Sequence, residues 1–527
     1  MNILLSSAFK PFGIDNAYGR KGSQFESFHN QLTLKQGVFS IRSFATTNGL
    51  HAIASNIATP TTVLDSPTLR RYLHEIKKGY DIIGIGTILP NYNRLKKMVA
   101  LTREVSPGSK LIIGGFCTMA PNIENDLDVD DICRGEGIRF MRNLLGLPED
   151  YQFRNPHGII AQIKEIFGVP LNLKGPQLVV GLGCTYGCDF CCTSHFFGKK
   201  HIQFYATGRA LFQELKKIYQ RYPDSIIPFM GDDNFLIDLE RAEELRRCLI
   251  EENRLIKSYI FATADKIIEF GVEKLAEMGV EIIWIGRESK FSDYKKNSGI
   301  DYRSLISELR QFGIKPIVSS LLLTDKHTPE NIMDDIQDHI NAKPVFSQFL
   351  FYSPVPGTPL YERLKREGRI NNDLPYEDYH GLCPPLINHP AFSSELACAI
   401  QDEAYMSEYQ QLGPSIARYI ETDYIAWLHL RNTKSNILKL KAAGYEKKFG
   451  YYRIILSAIE RLAPEASMAE MAKKVRCDIE SHFGKTTAVE RAAASGLFLT
   501  GCLRNLRTRY FGDVMQPPTI VTHYNQP

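Results

Sequence analysis

A short stretch in the middle of the chain, from Gly181 to Lys200, combines a strand-like run with a dense group of cysteines. Cys184, Cys188 and Cys191 follow one another at spacings of four and three residues, and Phe190 directly precedes the third. The run QLVVGLG before them is apolar and predicts a buried strand. We therefore expect the cysteines on a loop at the C-terminal end of a strand, where α/β barrels carry their reactive groups.

Three thiolates on one loop can hold a cubane iron–sulfur cluster and leave its fourth iron without a protein ligand. Such an open iron can bind a substrate or a cofactor. Two other interpretations stay open at this point. The three cysteines together with His195 could form a structural zinc site, or the cysteines could be unliganded core thiols. The preceding strand favours the cluster, because a zinc knuckle does not need one.

The CxxxCxxC spacing with an aromatic residue before the last cysteine resembles the signature of the radical S-adenosylmethionine (SAM) enzymes. The resemblance implies a 4Fe–4S cluster held by Cys184, Cys188 and Cys191, with Phe190 beside SAM. In that family the open iron chelates the amino and carboxylate groups of SAM, and one electron cleaves SAM to a 5′-deoxyadenosyl radical. The adjacent Cys192 is either a spare thiol, which we favour, or a catalytic hydrogen donor.

From Met1 to about Leu147, short apolar runs alternate with helical patterns, which predicts a parallel sheet with helices on both faces, as in Rossmann-like folds. The expected strands are Ile3 to Ser6, Thr62 to Asp65, Asp81 to Thr87, Lys110 to Gly114 and Asp131 to Arg134. Glycines fall at the strand ends, where they either let a ligand approach the backbone or simply end the strands.

The IIGG and RGEG runs at these strand ends resemble the cobalamin-binding domain that precedes many radical SAM modules. The resemblance implies that cobalamin contacts a set of residues at the sheet edge, namely Thr87, Gly114, Gly115, Glu136 and Gly137. The DxHxxG motif that supplies a cobalt-binding histidine in other cobalamin proteins is missing, and the histidines of this region are His29, His51 and His74. The domain therefore binds cobalamin without that histidine, or is a relic that binds none.

Residues 148–175 have little periodicity and contain three prolines, which predicts a linker. From Pro176 to about residue 370 the alternation of strands and helices resumes. The expected strands are Gln177 to Leu182, Ile226 to Gly231, Tyr259 to Thr263, Glu281 to Gly286, Lys315 to Leu323 and Gln348 to Tyr352. Six such units resemble the partial (β/α)6 barrel of the radical SAM core.

Polar residues at the ends of these strands are the candidates for SAM binding. The resemblance assigns the SAM amino group to Asp232 and Asp233, although one of the two aspartates could instead cap the next helix. It places Glu288 near the ribose, with a surface ion pair to Arg287 or Lys290 as the alternative.

Two further candidates for the SAM site follow the fifth and sixth strands. Ser319 or Ser320 could meet the SAM carboxylate, although serine on a strand more often satisfies a backbone group. Thr358, in the segment SPVPGTPLYERL, resembles the closing element of the family and is expected to face the adenosyl group.

Residues 371–527 change in character to helices and carry no motif tied to chemistry, so we expect a helical domain that covers the barrel mouth and shapes the substrate pocket. The segment from Phe449 to Leu462 predicts a helix whose apolar stripe packs in the core. The segment from Ala492 to Leu503 could be an interfacial anchor, but its basic end favours a buried helix, since cations suit a helix C-terminus.

Composition limits the classes of partner and location. A formal charge of +4 on 527 residues, with no long run of Lys and Arg, gives no support for nucleic-acid binding. No apolar run of about 18 residues occurs, so no membrane span is expected, although peripheral membrane contact stays open. The N-terminal run lacks the pattern of a signal peptide. The eleven cysteines do not resemble a disulfide framework and suit a reducing cytoplasm.

These observations together predict a cobalamin-dependent radical SAM enzyme that methylates an unactivated carbon of an unidentified substrate. The 25 Tyr and 29 Phe residues allow an apolar or lipid substrate. The family implies methylcobalamin as the methyl source and an external electron donor of the flavodoxin or ferredoxin type. Alternatives are a radical SAM cyclase, oxidase or rearrangement enzyme and, in another class, an iron–sulfur or zinc-stabilised binding protein.

Overall fold

The structure is a computed structural model that describes residues 1–12, 31–156, 160–223, 227–511 and 516–525. Its strands, in chain order, are β1 (Ile3–Ser6), β2 (Arg42–Ala45), β3 (Thr61–Asp65), β4 (Ile82–Gly86), β5 (Lys110–Gly114), β6 (Asp131–Cys133), β7 (Ile160–Ile166), β8 (Val169–Val179), β9 (Gly181–Leu182), β10 (Ile202–Gln203), β11 (Phe229–Gly231), β12 (Ser258–Phe261), β13 (Val280–Glu288), β14 (Lys315–Leu322), β15 (Phe346–Phe351) and β16 (Ile520–Tyr524).

The helices within the same residues are α1 (Asn48–Ser55), α2 (Leu69–Ile76), α3 (Tyr92–Val105), α4 (Ile123–Asp126), α5 (Gly137–Leu144), α6 (Cys192–Phe196), α7 (Gly208–Arg221), α8 (Leu239–Glu251), α9 (Ala264–Phe270), α10 (Val272–Glu277), α11 (Tyr302–Gln311), α12 (Ile332–Asn341), α13 (Pro359–Arg366), α14 (Ser394–Leu412), α15 (Ser415–Leu430), α16 (Asn436–Glu446), α17 (Phe449–Leu462), α18 (Ala466–Phe483) and α19 (Ala488–Phe511). Short 3₁₀ turns lie between several of them, including Lys295–Asn297 after β13.

The N-terminal sheet has six strands in the order β16-β3-β1-β4-β5-β6, parallel except for β16. Ile3, Leu5 and Val63 point to one apolar core and Leu4 and Leu64 to the other, so both faces are covered. Parallel sheets require this, because βαβ crossovers place helices on both faces. The carboxyl ends of the strands meet at one edge, and this edge faces the second sheet.

The second sheet has eight strands in the order β15-β14-β13-β12-β11-β8-β7-β2. The six strands from β8 to β15 are parallel and form the predicted barrel, while β7 and β2 extend it by antiparallel pairing. The Gln31 amide oxygen accepts a hydrogen bond of 3.0 Å from Gln348 of β15, so the segment leading into β2 returns to the far edge of the sheet. The predicted α/β class, barrel and helical C-terminal region are confirmed by this arrangement. The expected strand start at residue 226 lies outside the described residues.

The linker expected over residues 148–175 is wrong for its second half, where β7 and β8 form a hairpin. Phe167 and Gly168 both have positive φ, 56° and 75°, and make the two-residue turn that matches strand twist. The pattern was hidden because a register shift between Ile163 and Glu165 interrupts the alternation of β7. Phenylalanine at a left-handed turn position is also a weak turn signal.

The C-terminal region contains one strand that the sequence analysis did not include. After the helices, β16 pairs antiparallel with β3 and forms an edge of the N-terminal sheet. Its five residues are too few to establish a strand pattern beside a long helical region. The chain end is therefore joined to its beginning.

Cys383 and Cys398 form a disulfide. The sequence analysis did not predict this bond. The remaining nine cysteines are free.

Helix α19 is not the buried helix that the sequence favoured. Leu499, Leu503, Leu506 and Tyr510 are each more than half exposed and repeat at helical spacing, so they form one apolar stripe toward solvent. The opposite face packs on the protein through Gly501, where a Cβ atom would come within 2.7 Å of Leu462. Helix α17 packs as predicted, with Tyr452 and Ile459 in the main core. Across the described ranges, no helix has the length and hydropathy needed to cross a membrane.

Candidate functional site

The cysteine loop lies between β9 and α6, at the mouth of the barrel. It is tied to the end of the sixth barrel strand through Asp189, whose backbone oxygen accepts from the Leu360 N–H at 3.1 Å. The Asp189 carboxylate accepts hydrogen bonds from the hydroxyls of Tyr294, at 2.7 Å, and Tyr352, at 2.6 Å. Phe190 lies edge-on against the same two tyrosines. These contacts fix the segment between Cys188 and Cys191.

Cys184, Cys188 and Cys191 are free thiols of intermediate exposure. Burial raises the pKa of each, that of Cys188 to about 11, and the Lys296 ammonium opposes this shift. The charges of Cys184 and Cys191 further raise the pKa of Cys188, and that of Cys184 raises the pKa of Cys191, which agrees with three sulfurs that lie near one another. Three free thiols on one loop are a donor set that fits a cubane cluster.

The zinc interpretation gains no support from His195. Its Nε2 donates to the backbone oxygen of Cys188 at 3.1 Å and therefore serves to hold the loop. Within the part of the chain that is described, no group of three His, Cys, Asp or Glu side chains is arranged to hold a single metal ion. Burial raises the pKa of the neighbouring Cys192 to about 12, which agrees better with a spare thiol than with a reactive one.

Asp232 is buried in an internal ion pair. Its carboxylate accepts from Arg241 Nη2 and from His201 Nε2, both at 2.9 Å, and from the backbone N–H of Asn234. Burial acts to raise the pKa of Asp232, but the hydrogen bond from His201 and the charge of Arg241 outweigh it and leave the pKa lowered. These contacts give Asp232 a structural role beneath the barrel mouth, so Asp233 is the stronger candidate for the SAM amino group.

Asp233 has the opposite environment. One carboxylate oxygen accepts from the Gly183 N–H at 2.6 Å, directly before the first cysteine. Burial raises the pKa of Asp233 to about 6, with a smaller contribution from the charge of Asp232. A partly buried carboxylate without a cationic partner of its own among these contacts is suited to receive a ligand cation.

Glu288 lies at the end of β13 with a positive φ of 62° and is buried. Its ion-pair partner is Lys296, not Arg287 or Lys290 as the alternative supposed. Arg287 instead pairs with Asp335 at 2.7 Å. The Glu288 carboxylate lies close over Gly286, where a Cβ atom would come within 2.3 Å of Glu288 Oε1. The pair is held above the barrel interior, close enough for Lys296 to affect the cysteines.

Ser320 and Thr358 are placed differently from the expectation. The Ser320 hydroxyl is buried 2.8 Å from His339 Nδ1 and accepts from Arg287, on the helix side of the sheet. The inward residue is Ser319, which accepts from Trp284 at 2.6 Å, as strand alternation requires. Thr358 caps α13: its hydroxyl accepts from the Tyr361 N–H and donates to a backbone oxygen. Neither Ser320 nor Thr358 has a hydroxyl free toward the cysteine loop.

A cavity of about 450 Å³, which we call the edge cavity, lies between the N-terminal sheet edge and the barrel mouth. All the residues predicted to contact cobalamin line it from one side, namely Thr87, Gly114, Gly115, Glu136 and Gly137. Asp232, Asp233 and Phe196 line it from the barrel side. Phe116 of the sheet edge contacts Phe196 of α6, with ring centroids 4.8 Å apart. The structure therefore brings the predicted cobalamin residues and the two aspartates of the predicted SAM site to one space.

The backbone of the sheet edge is built around glycine. Gly115 has a φ of +86°, and a Cβ atom there would lie 2.5 Å from the backbone oxygen of Thr87. Glu136 caps α5 by accepting from the N–H groups of Ile138, at 2.6 Å, and Arg139, at 2.8 Å. This edge exposes backbone and small residues to the cavity, which fits the close approach of a large planar ligand.

The two histidines of this domain that the structure describes, His51 and His74, do not line the edge cavity. His51 is buried between Asp65 and Tyr524, at 2.6 and 2.7 Å, and His74 lies at the end of α2. His29 lies outside the described residues. The structure thus agrees with the missing DxHxxG motif for the two histidines that it describes.

The sequence analysis missed Asp189, Lys296 and the tyrosines at 294 and 352. Asp189 stands inside the cysteine motif, between Cys188 and Phe190, and its acidic character was the available signal. Lys296 is buried beside Glu288, and its pKa is raised because the attraction of Glu288 and Cys188 outweighs burial. Its role depends on a tertiary contact that no spacing indicates.

No protein-family model matches the sequence. An uncharacterized methyltransferase of Pyrococcus horikoshii is 22% identical over 369 residues, which are 62% of this chain and 78% of that protein. The bacteriochlorophyllide d C-8(2)-methyltransferase of Chlorobaculum tepidum is 26% identical over 40% of this chain and 48% of its own length. The hopanoid C-2 methylase of Rhodopseudomonas palustris is 24% identical over 43% of this chain and 45% of its own length. The chain therefore spans less than half of the last two proteins.

Among solved structures, the chain is similar to the radical S-adenosylmethionine methyltransferase TsrM from Kitasatospora setae, determined with cobalamin and a 4Fe–4S cluster bound. The TM-score is 0.53 at 14% identity, over 85% of this chain and 99% of TsrM. A second TsrM structure, with tryptophan and a SAM analogue, gives a TM-score of 0.50 at 15% identity, over 84% of this chain and 96% of that one. The chain has the fold of these structures.

Proposed function

We propose that this chain is a cobalamin-dependent radical SAM methyltransferase that acts on an unactivated carbon. The observation that carries the proposal is the edge cavity, which joins the glycine-built sheet edge to Asp233 and to Leu182 and Thr193, the residues on either side of the cysteine loop. A chemistry that needs two cofactors requires one space that both can reach. The similarity to methyltransferases in sequence and to TsrM in fold supports the same conclusion.

The residues present fit each cofactor. Cys184, Cys188 and Cys191 would hold the 4Fe–4S cluster, Asp233 would meet the SAM ammonium and Glu288 the ribose hydroxyls. The sheet edge around Gly114 and Gly115 would hold cobalamin. When bound, these groups supply an electron for SAM cleavage and a methyl donor.

The protein's own residues position and shield these groups. The Gly183 N–H fixes one oxygen of Asp233, so that the carboxylate keeps one orientation toward the ammonium. Lys296 fixes Glu288 in the same way. Phe116, Phe196 and Phe197 pack together at the junction of the sheet edge and the cysteine loop and exclude water from that side. Water exclusion protects a carbon radical from side reactions.

The proposal is tested by SAM cleavage under anaerobic conditions. The full chain, reconstituted with iron, sulfide and cobalamin and reduced chemically, should convert SAM to 5′-deoxyadenosine, measured by mass spectrometry. Cys191→Ser should abolish the product, whereas Cys477→Ser, at an exposed free cysteine, should retain it. No 5′-deoxyadenosine from the wild type would contradict the proposal. With a substrate in hand, a product heavier by one methylene distinguishes methyl transfer from cyclisation, oxidation or rearrangement.

The electron donor and the location are part of the same proposal. An external flavodoxin or ferredoxin of the cytoplasm would reduce the cluster in the cell. Replacing the chemical reductant with reduced flavodoxin should therefore sustain 5′-deoxyadenosine formation. Failure with every flavodoxin and ferredoxin of the source organism would contradict a donor of this class.

We further propose that the apolar stripe of α19 rests on a membrane surface. At 100° per residue, Leu499, Leu503 and Leu506 fall within about 60° of one another. Arg507 and Arg509, both exposed, flank the stripe at about 80° on either side. An apolar face bordered by arginines fits the interface of a membrane that contains anionic lipid.

A flotation assay tests this contact. The wild type should float with vesicles of phosphatidylglycerol and phosphatidylcholine and less with phosphatidylcholine alone. Leu503→Glu should remain at the bottom, while Leu428→Glu, at an exposed leucine of α15, should float like the wild type. Equal flotation of Leu503→Glu and the wild type would contradict the proposal.

A further inference from the structure

A second cavity, of about 610 Å³, lies inside the barrel below the edge cavity. We call it the floor chamber. It is enclosed by inward side chains from the N-terminal halves of the barrel strands and from β7 and β2, and it is closed below by α15 and α17. The interior of an α/β barrel is normally filled by side chains, and protein interiors contain few voids larger than a water molecule. A void of this size in this place indicates a ligand site.

The walls of the floor chamber are mainly aliphatic and aromatic. They include Ile163 of β7, Tyr259 of β12, Ile317 of β14 and Ile455 of α17. Lys448 and Lys257 also border the chamber. The Lys448 ammonium is paired with Asp423 at 3.2 Å, and burial lowers the pKa of Lys257. A ligand held here gains most of its affinity by burying apolar surface.

The floor chamber is continuous with the reaction region. Phe229 borders both cavities, as does Asn48. Along β8 the inward residues pass from one cavity to the other: Gln177 lines the floor chamber, and Val179 and Gly181 line the edge cavity. At about 3.3 Å per residue, the four residues from Gln177 to Gly181 span about 13 Å. An extended chain that passes Phe229 therefore reaches the space beside Asp233.

The floor chamber borders solvent along strand β8 of the β7–β8 hairpin. Leu173 lines the chamber and yet is 36% exposed, and Leu171 beside it is 37% exposed. Arg504 of α19 pairs with Glu165 of the same hairpin, so this hairpin packs against the buried face of α19. Apolar residues at an opening let an apolar molecule enter without crossing a polar surface.

We propose that the floor chamber binds the aliphatic or isoprenoid chain of a lipid substrate and delivers its reacting carbon past Phe229. This inference rests on the proposed function and assigns its substrate class. It places the apolar body of the substrate in the lower barrel and the carbon to be methylated at the boundary of the two cavities. The chain length that the enzyme accepts would be set by the floor, at α15 and α17.

The experiment uses cis-parinaric acid, a fluorescent 18-carbon fatty acid, as the probe, with the full-length reconstituted protein. Trp284 packs against Ile317 and Phe346 at the chamber wall, and Trp427 is the second tryptophan of the chain. In a Trp427→Phe background, bound probe should quench Trp284 by energy transfer with a stoichiometry of one.

Two variants that fill the chamber and one matched control complete the test. Ile163→Phe and Ile317→Phe should each raise the dissociation constant at least tenfold, while circular dichroism confirms that they fold. Leu440→Phe, at an exposed position of α16, should bind like the parent. Absence of saturable quenching, or unchanged binding in both filled variants, would overturn the inference. Probe binding does not depend on SAM cleavage. A failure to bind the probe can therefore be distinguished from a failure of the proposed function, which is measured as formation of 5′-deoxyadenosine in the absence of lipid.

Discussion

Replacing Asp233 with asparagine is expected to stabilise the folded protein and at the same time lower its affinity for SAM. Burial raises the pKa of this carboxyl from 3.8 to about 6, so at pH 7 the folded state holds a charge that its surroundings disfavour. A shift of this size corresponds to about 3 kcal/mol. Asp233 is partly exposed, and solvent screening reduces the value, so we expect Asp233→Asn to raise the free energy of unfolding by about 1–3 kcal/mol.

The dependence on pH has a defined sign. Between pH 3.8 and about 6 the folded state binds the Asp233 proton more tightly than the unfolded state does. The contribution of Asp233 to stability therefore falls as the pH rises through this window and is level above it. The difference between Asp233→Asn and the wild type should be small at pH 4 and full at pH 7.

SAM binding should respond in the opposite direction. The asparagine keeps an acceptor for the Gly183 N–H but loses the charge that would pair with the SAM ammonium. A hydrogen bond to a charged group contributes about 1.5–3 kcal/mol, which corresponds to a dissociation constant roughly 10- to 150-fold higher. Equilibrium dialysis of SAM with the reconstituted protein measures this, and chemical unfolding without SAM measures the stability.

Asp232→Asn is the matched comparison. It breaks a buried ion pair with Arg241, so it should lower the free energy of unfolding by about 3–5 kcal/mol. The exposed Asp128→Asn should change neither quantity. We assign a structural role to Asp232 and a SAM-binding role to Asp233. This assignment would be refuted if both asparagine variants changed the free energy of unfolding in the same direction, or if Asp233→Asn left the SAM affinity unchanged.

Two further variants test the scaffold. Glu480→Gln should lower the free energy of unfolding at pH 7 by about 2 kcal/mol, because hydrogen bonds from Thr486 and Arg476 outweigh burial and lower the pKa of Glu480 to about 2. This loss of stability should vanish as the pH falls from 4.5 to 2. A difference in unfolding free energy that does not depend on pH would contradict this prediction. Gly115→Ala should destabilise the sheet edge by about 1–3 kcal/mol and weaken cobalamin binding, because its Cβ would clash with the Thr87 backbone at a positive φ. Thermal unfolding measures the loss of stability, and cobalt content measures the loss of cobalamin. Normal values of both would contradict the proposal that this edge holds cobalamin.

The parts of the fold that could be predicted are those with a strong local signal. Strands β1, β4 and β5 are continuous apolar runs buried on both faces, and the cysteine spacing needs no tertiary information. The β7–β8 hairpin was missed because a register shift breaks its alternation, and β16 because five residues at the end of a helical region carry little pattern. Local signals fail where pairing over long sequence distances decides the structure.

The candidate site follows the same division. The cysteines and Asp233 could be proposed from sequence because they belong to motifs at strand ends. Ser320 faces the helices, and Ser319 faces the barrel interior. Sequence alone could not decide which of the two points inward, because a register shift between Gly286 and Glu288 interrupts the pairing of β13 with this strand. The exposed stripe of α19 was mistaken for a buried face, since hydrophobicity alone does not say whether a partner helix covers it.

The measurement that tests the central claim most directly is the iron, cobalt and zinc content of the full chain, purified without oxygen from cells supplied with cobalamin. The account predicts about four irons and one cobalt per chain, with the iron lost in Cys191→Ser and the cobalt reduced in Gly115→Ala. Zinc alone would contradict the radical chemistry and leave the cysteines a structural role. Iron without cobalt would contradict the methyl-transfer function and reduce the N-terminal sheet to a scaffold.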